Sequence, residues 1–196
     1  MLWKRTKDEQ LFRDVLAVDK ADRKRLEAVQ RELDAVRPQW AALQEQAEIL
    51  AARYAATERV YSRSVHEGWW AEVDSALKAQ FEQLVARRDA LTMPFVQQIA
   101  DLRAKIHGRH GILSGAFGSW ASVVANQLPA PLDAEIVAAR REIEQSQDLA
   151  AIFKSFEQWI TRVGDLDELP TTIPVPNLGH VVRQLAAATL PVEPAA

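Results

Sequence analysis

The chain has 196 residues, 48% of them hydrophobic and 26% charged, with a net charge of −3 and no cysteine. That balance excludes a wholly disordered chain, a disulfide framework, a thiolate metal site and a cysteine nucleophile. It also excludes a strong overall pull towards nucleic acid or anionic lipid. Gly is scarce at 7 residues, while Ala, Leu, Glu, Gln and Arg, which lose little on entering a helix, are abundant. The expected fold is all-α: a long antiparallel coiled-coil hairpin, shorter helices packed on it, and a proline-rich C-terminal tail.

The charged N-terminus is followed by no apolar stretch, so no secretory leader is expected, and no run of ~18 apolar residues predicts a spanning helix. These features point to the cytoplasm or to a macromolecular assembly. Residues 1–19 form an N-terminal helical segment with Leu11, Phe12, Val15, Leu16 and Val18 at helical spacing. Asp19 to Arg25 is a charged junction, either a turn or a solvated stretch of one continuous helix.

Residues 20–110 carry the strongest pattern. Leu26, Val29, Leu33, Val36, Trp40, Leu43, Ala47, Leu50, Tyr54, Thr57 and Tyr61 alternate steps of three and four. A period of 3.5 keeps one narrow stripe facing a partner helix. At 1.5 Å per residue this seam spans roughly 50 Å. Pro38 removes a backbone donor, but the register continues through it, which predicts a kinked helix rather than a break. A turn is expected near 66–69, with Gly68 at its tip.

Trp69 and Trp70 then open a second helix whose stripe is Val73, Leu77, Phe81, Leu84, Arg88, Leu91, Phe95, Ile99, Leu102 and Ile106. A short connection makes the two helices antiparallel neighbours. Pro94 lies at a distance from the turn similar to that of Pro38, so both arms are expected to bend together. Gly108 and Gly111 predict the end of this helix.

Residues 111–168 are read as a helical base. Leu113, Phe117, Trp120, Val124 and Leu128 line a third helix, opposite a face of Gly115, Gly118, Ser119 and Ser122 small enough to admit another backbone. Leu128 to Pro131 is a stop, and Pro131 suits a first helical turn. The apolar positions from Leu132 to Val163 then trace a fourth helix, or two with a break near Ser146 to Asp148. Residues 169–196 are a proline-rich linker and a short amphipathic helix capped by Asn177.

Candidate chemistry is sparse. His107 and His110 share a helix face if the helix continues, but no acid stands at metal-ligand spacing from them. Asp165, Asp167 and Glu168 lack calcium-loop spacing. No nucleotide-binding or serine-hydrolase motif occurs. No cofactor, metal, catalytic residue or small-molecule substrate is expected.

The predicted role is therefore structural: an assembly or adaptor subunit that presents helical surfaces to protein partners, further copies of itself included. Trp69 and Trp70 at the turn are one expected contact surface, because exposed tryptophan brings large area at low entropic cost. The face of Leu178, Val181, Val182 and Leu185 is the other; it docks in a partner's groove or packs on its own domain. Two alternatives come from other classes. The uncharged stretch from Gly111 to Leu132 suggests membrane activity, and the basic run Lys20, Arg23, Lys24 and Arg25 suggests nucleic-acid association. Against the second, Asp19, Asp22 and Glu27 are interleaved with that run and cancel much of its field.

Overall fold

The computed structural model of the protein describes residues 7–61, 67–125, 127–166 and 176–190; nothing is assigned to the side chains of residues 61 and 67–70. Among the described residues it is all-α, with five helices: α1 (Lys7–Tyr61), α2 (Glu67–Val124), α3 (Ala130–Gln145), α4 (Leu149–Gly164) and α5 (Leu178–Thr189). The two long helices pack together. The chain divides into two compact units, residues 25–101 on the one hand, and residues 1–24 with 102–196 on the other.

In the 25–101 unit, the predicted seam is the inward face of α1. Val29, Leu43 and Ala47 are buried and every other described seam residue is half-buried. The helix runs unbroken through the 19–25 junction and through Pro38. Pro38 is exposed, so the carbonyl it leaves unpaired can be hydrated, which lowers the penalty of a proline inside a helix. Polar residues tie α1 to α2. Arg88 Nη1 donates to Gln44 Oε1 at 2.6 Å, Tyr54 Oη to Asp74 Oδ1 at 2.5 Å, and Arg25 Nη2 to Gln98 Oε1 at 3.4 Å. The guanidinium of Arg88, the polar member of the second stripe, also lies 5.8 Å from the Trp40 ring centre.

Two sequence expectations are corrected in α2. Gly68 is not the turn: the helix already begins at Glu67, so the connection falls in residues 62–66, outside the described residues, and Gly68 lies in the first helical turn. Nor do Gly108 and Gly111 end the helix, which continues to Val124 and absorbs the expected third helix. Each internal glycine costs about 1 kcal/mol relative to alanine. Beyond them Leu113, Phe117, Trp120 and Val124 are buried, each contributing roughly 1.5–3 kcal/mol. Packing outweighs the local glycine signal.

The other unit has a conventional core. Phe117 and Phe156 meet edge to face at 5.2 Å, Trp120 lies 5.7 Å from Phe156, and Phe12 packs on Phe153 at 4.2 Å. Ile136, Ala139 and Ile143 from α3 complete the layer with the α4 stripe, in which Leu149, Ile152, Phe153, Phe156, Trp159, Ile160 and Val163 are buried. The small face of α2 admits a side chain, not a backbone: Arg140 Nε lies 3.5 Å from the position a Cβ on Gly118 would take, and Arg140 Nη1 donates to Ser122 Oγ at 2.9 Å.

The boundaries of the short helices follow their sequence signals. Pro131 occupies the first turn of α3. α4 is separate from α3 and starts where the Asp148 carboxylate accepts from the amides of Ala150 and Ala151 at 2.9 and 3.3 Å. Asn177 caps α5 by accepting from His180 N at 3.1 Å.

Candidate interaction surfaces

The predicted α5 surface is covered. Leu178, Val182 and Leu185 are fully buried and Val181 is 7% exposed, all within the core of their own unit. A buried carboxylate fixes this placement. Asp8, at the start of α1, receives Arg183 Nη1 at 3.0 and 3.1 Å on its two oxygens. Gly179 lies so close to Asp8 that a Cβ would stand 2.5 Å from Asp8 Oδ2, so only glycine fits without a shift. Of the two options the sequence left for this helix, the structure displays packing on its own domain. Trp69 and Trp70 lie within α2, but their side chains fall outside the described residues.

The same unit uses the charges that resembled a solvated junction. Arg109, 3% exposed, donates from Nε to Asp19 Oδ1 at 3.0 Å and from Nη2 to Asp22 Oδ2 at 2.7 Å. Arg23 Nε donates to the other Asp19 oxygen at 2.6 Å, and Arg23 Nη2 to the Gln147 carbonyl. Two cations of the basic run, Arg23 here and Arg25 through its bond to Gln98, are therefore engaged within the chain. The uncharged stretch is likewise occupied, with Leu113, Phe117, Trp120, Ala121, Val124 and Leu128 all in the core. Among the described residues no helix is long and apolar enough to cross a membrane. His107 and His110 share a helix, and no group of three or more potential metal ligands occurs among the described residues.

The 25–101 unit contains what the sequence reading did not single out. Ile49, Val60, Phe81, Met93 and Val96 are all exposed large apolar residues in that unit. Phe81 belongs to the predicted stripe, yet it is 39% exposed. Phe81 stands at the edge of the contact between the two helices.

There it lines a groove with Leu50, Ala51, Tyr54, Leu77, Lys78 and Glu82. A polar network supports one wall. Lys78 Nζ donates to Asp74 Oδ2 at 2.8 Å while the Tyr54 hydroxyl donates to Asp74 Oδ1, and Lys78 lies 5.9 Å from the Tyr54 ring centre. The hydrogen bond from Lys78, then that from Tyr54, holds the Asp74 carboxyl below the usual carboxylate range. The bond to Asp74 raises both the Tyr54 phenol and the Lys78 ammonium above their ordinary values. The network fixes three side chains in place and holds no nucleophile or base poised near neutrality.

Comparison of the chain with protein-family models, with curated proteins and with solved structures finds no match to any of them. The class is thus defined by the coordinates alone: an all-α protein with two long packed helices.

Proposed function

We propose that the protein is a non-enzymatic structural subunit, an assembly or adaptor component that works by presenting helical surfaces to other proteins, further copies of itself included. The observation that carries this reading is the exposure of Ile49, Val60, Phe81, Met93 and Val96 on a unit built from α1 and α2, with Phe81 lining an apolar groove between the two helices. A helix pair shields one narrow stripe, and an apolar groove beside it is a surface that a partner protein can cover.

The reading treats α1 and α2 of this unit as an antiparallel coiled-coil hairpin. Three cross-helix pairs support it: position 25 with 98, 44 with 88 and 54 with 74, α1 numbers rising as α2 numbers fall. That order is the one given by two helices that run in opposite directions from a short connection. The constant 3-4 seam on α1 supplies the coiled-coil character. The proline-rich tail remains a linker in this reading, with α5 as its anchored end.

A photo-crosslinking amino acid placed singly at positions 49, 81 and 45 tests the proposal. Glu45 is exposed and lies away from the seam. Protein crosslinks in cells are expected at 49 and 81 and not at 45. Equal or absent crosslinking at all three contradicts it.

A further inference from the structure

Two grooves flank the contact between α1 and α2 in the 25–101 unit, and their chemistry differs. One is lined by Ile49, Leu50 and Leu84 together with glutamines, Arg53 and Arg87. The other is lined by Leu50, Tyr54, Leu77 and Phe81, with Lys78 and Glu82 on its rim. A symmetric dimer joins a patch to itself, so each side chain must suit its own counterpart across a twofold axis. Arg53 and Arg87 do not meet that requirement, because the first groove has no acid on its walls for either guanidinium to face.

The second groove meets it. Lys78 and Glu82 are four residues apart on α2 and opposite in sign. A twofold axis across α2 near these residues reverses the helix direction in the second copy, so Lys78 of one copy faces Glu82 of the other, twice. The same operation brings Phe81 of one copy towards Leu77 of the other. Glu82 makes no ion pair among the described residues, and the Lys78 side chain is 60% exposed with donors left over beyond its bond to Asp74. Aromatic side chains are enriched in protein interfaces, whose rims are polar.

The geometry points to a second copy of this chain as the occupant of the Leu50–Tyr54–Leu77–Phe81 groove, α2 against α2 in antiparallel, with Lys78 and Glu82 as reciprocal ion pairs. This assignment rests on the assembly reading above and names its partner.

Sedimentation equilibrium of the full chain and of exposed-residue variants tests it, with circular dichroism to verify unchanged helix content. The chain is expected to dimerise. Phe81→Ala weakens the dimer about thirtyfold, as loss of an interface anchor does. Glu82→Lys weakens it about fivefold, because two like-charged pairs then face each other. The double exchange Lys78→Glu with Glu82→Lys keeps opposite signs opposed and recovers association relative to Glu82→Lys alone. Arg87→Glu, in the other groove, leaves the dimer unchanged. A monomer at every concentration overturns the assignment, as does a dimer indifferent to Phe81→Ala and Glu82→Lys, or one that Arg87→Glu weakens as strongly as Phe81→Ala. Crosslinks from position 49 or 81 to other proteins would still uphold the broader assembly reading in any of these cases.

Discussion

The two ends of α2 belong to one helix yet live in different surroundings. Past Leu102 its inward residues join a continuous core with Val15 of α1 and the faces of α3, α4 and α5. Before that point its partner in the unit is α1, and in the whole 25–101 unit the buried apolar side chains among the described residues are Val29, Leu43, Ala47 and Ile99, of which Val29 alone is fully enclosed. Both stretches are apolar along one face. What differs is the number of neighbouring helices: a pair shields one narrow stripe, whereas a multi-helix layer encloses side chains on all sides. The multi-helix unit surrounds a continuous core and leaves Val123 and Val137 exposed, whereas the helix pair leaves Ile49, Val60, Phe81, Met93 and Val96 exposed.

The largest effects that would break this contrast are core truncations. Phe156→Ala, at 0% exposure, is expected to lower stability by about 4 kcal/mol in denaturant unfolding, while Phe81→Ala, at 39% exposure, lowers the stability of the monomer by about 1 kcal/mol. Comparable losses would mean that the 25–101 unit is as enclosed as the other. Next is the buried ion cluster. Asp19→Ala leaves Arg109 and Arg23 short of a carboxylate and should cost about 3 kcal/mol. A neutral result would show that the cluster is hydrated rather than buried.

Gly179→Ala is expected to destabilise by about 2 kcal/mol, since its Cβ would collide with the Asp8 carboxylate that holds α5. Gly108→Ala and Gly111→Ala act in the opposite sense. No atom lies within 4 Å of a Cβ at either position and both are inside a helix, so each should stabilise by up to about 1 kcal/mol and raise Tm by about 2–4 °C. If they destabilise, α2 ends at these glycines after all.

The smallest effect is ionic. The Asp74 bond favours the neutral Tyr54 phenol, so its stabilising contribution is present below the ordinary tyrosine range and lost as pH rises through the elevated folded value. The chain has 2 tyrosines, so a Tyr61→Phe variant isolates this titration by ultraviolet absorbance. Asp74→Asn is expected to return it towards the normal range, and an unchanged curve would show that the network is absent.

Much of the fold was legible in the sequence because hydrophobic period and cap chemistry agreed. The seam from Leu26, the first turn at Pro131, the break before Asp148 and the Asn177 cap all follow from local rules. The charged junction did not, since seam membership was read from apolar residues alone. Yet the same alternation of three and four runs back from Leu26 through Asp22, Asp19, Val15 and Phe12 to Asp8. Asp8 and Asp19 are buried, and all three acids are met by arginines far along the chain. Arg109 holds a stripe position between Ile106 and Leu113, so it too was marked by spacing. Pairing a buried acid with its arginine requires tertiary structure, which no local pattern supplies. The Phe81 groove was hidden in a different way: the stripe marks Phe81 as in register, but how far a neighbouring helix covers it is set by packing, since Ile99 follows the same two steps of four and is buried.

The central claim is that the open helix pair is a contact surface, in contrast to the closed core. Hydrogen–deuterium exchange of the full chain at rising protein concentration tests it most directly. Amides around residues 50–57 and 77–84 are expected to gain protection with concentration, while those of 149–163 remain unchanged. Protection independent of concentration in both regions, or gained equally in both, would contradict the account.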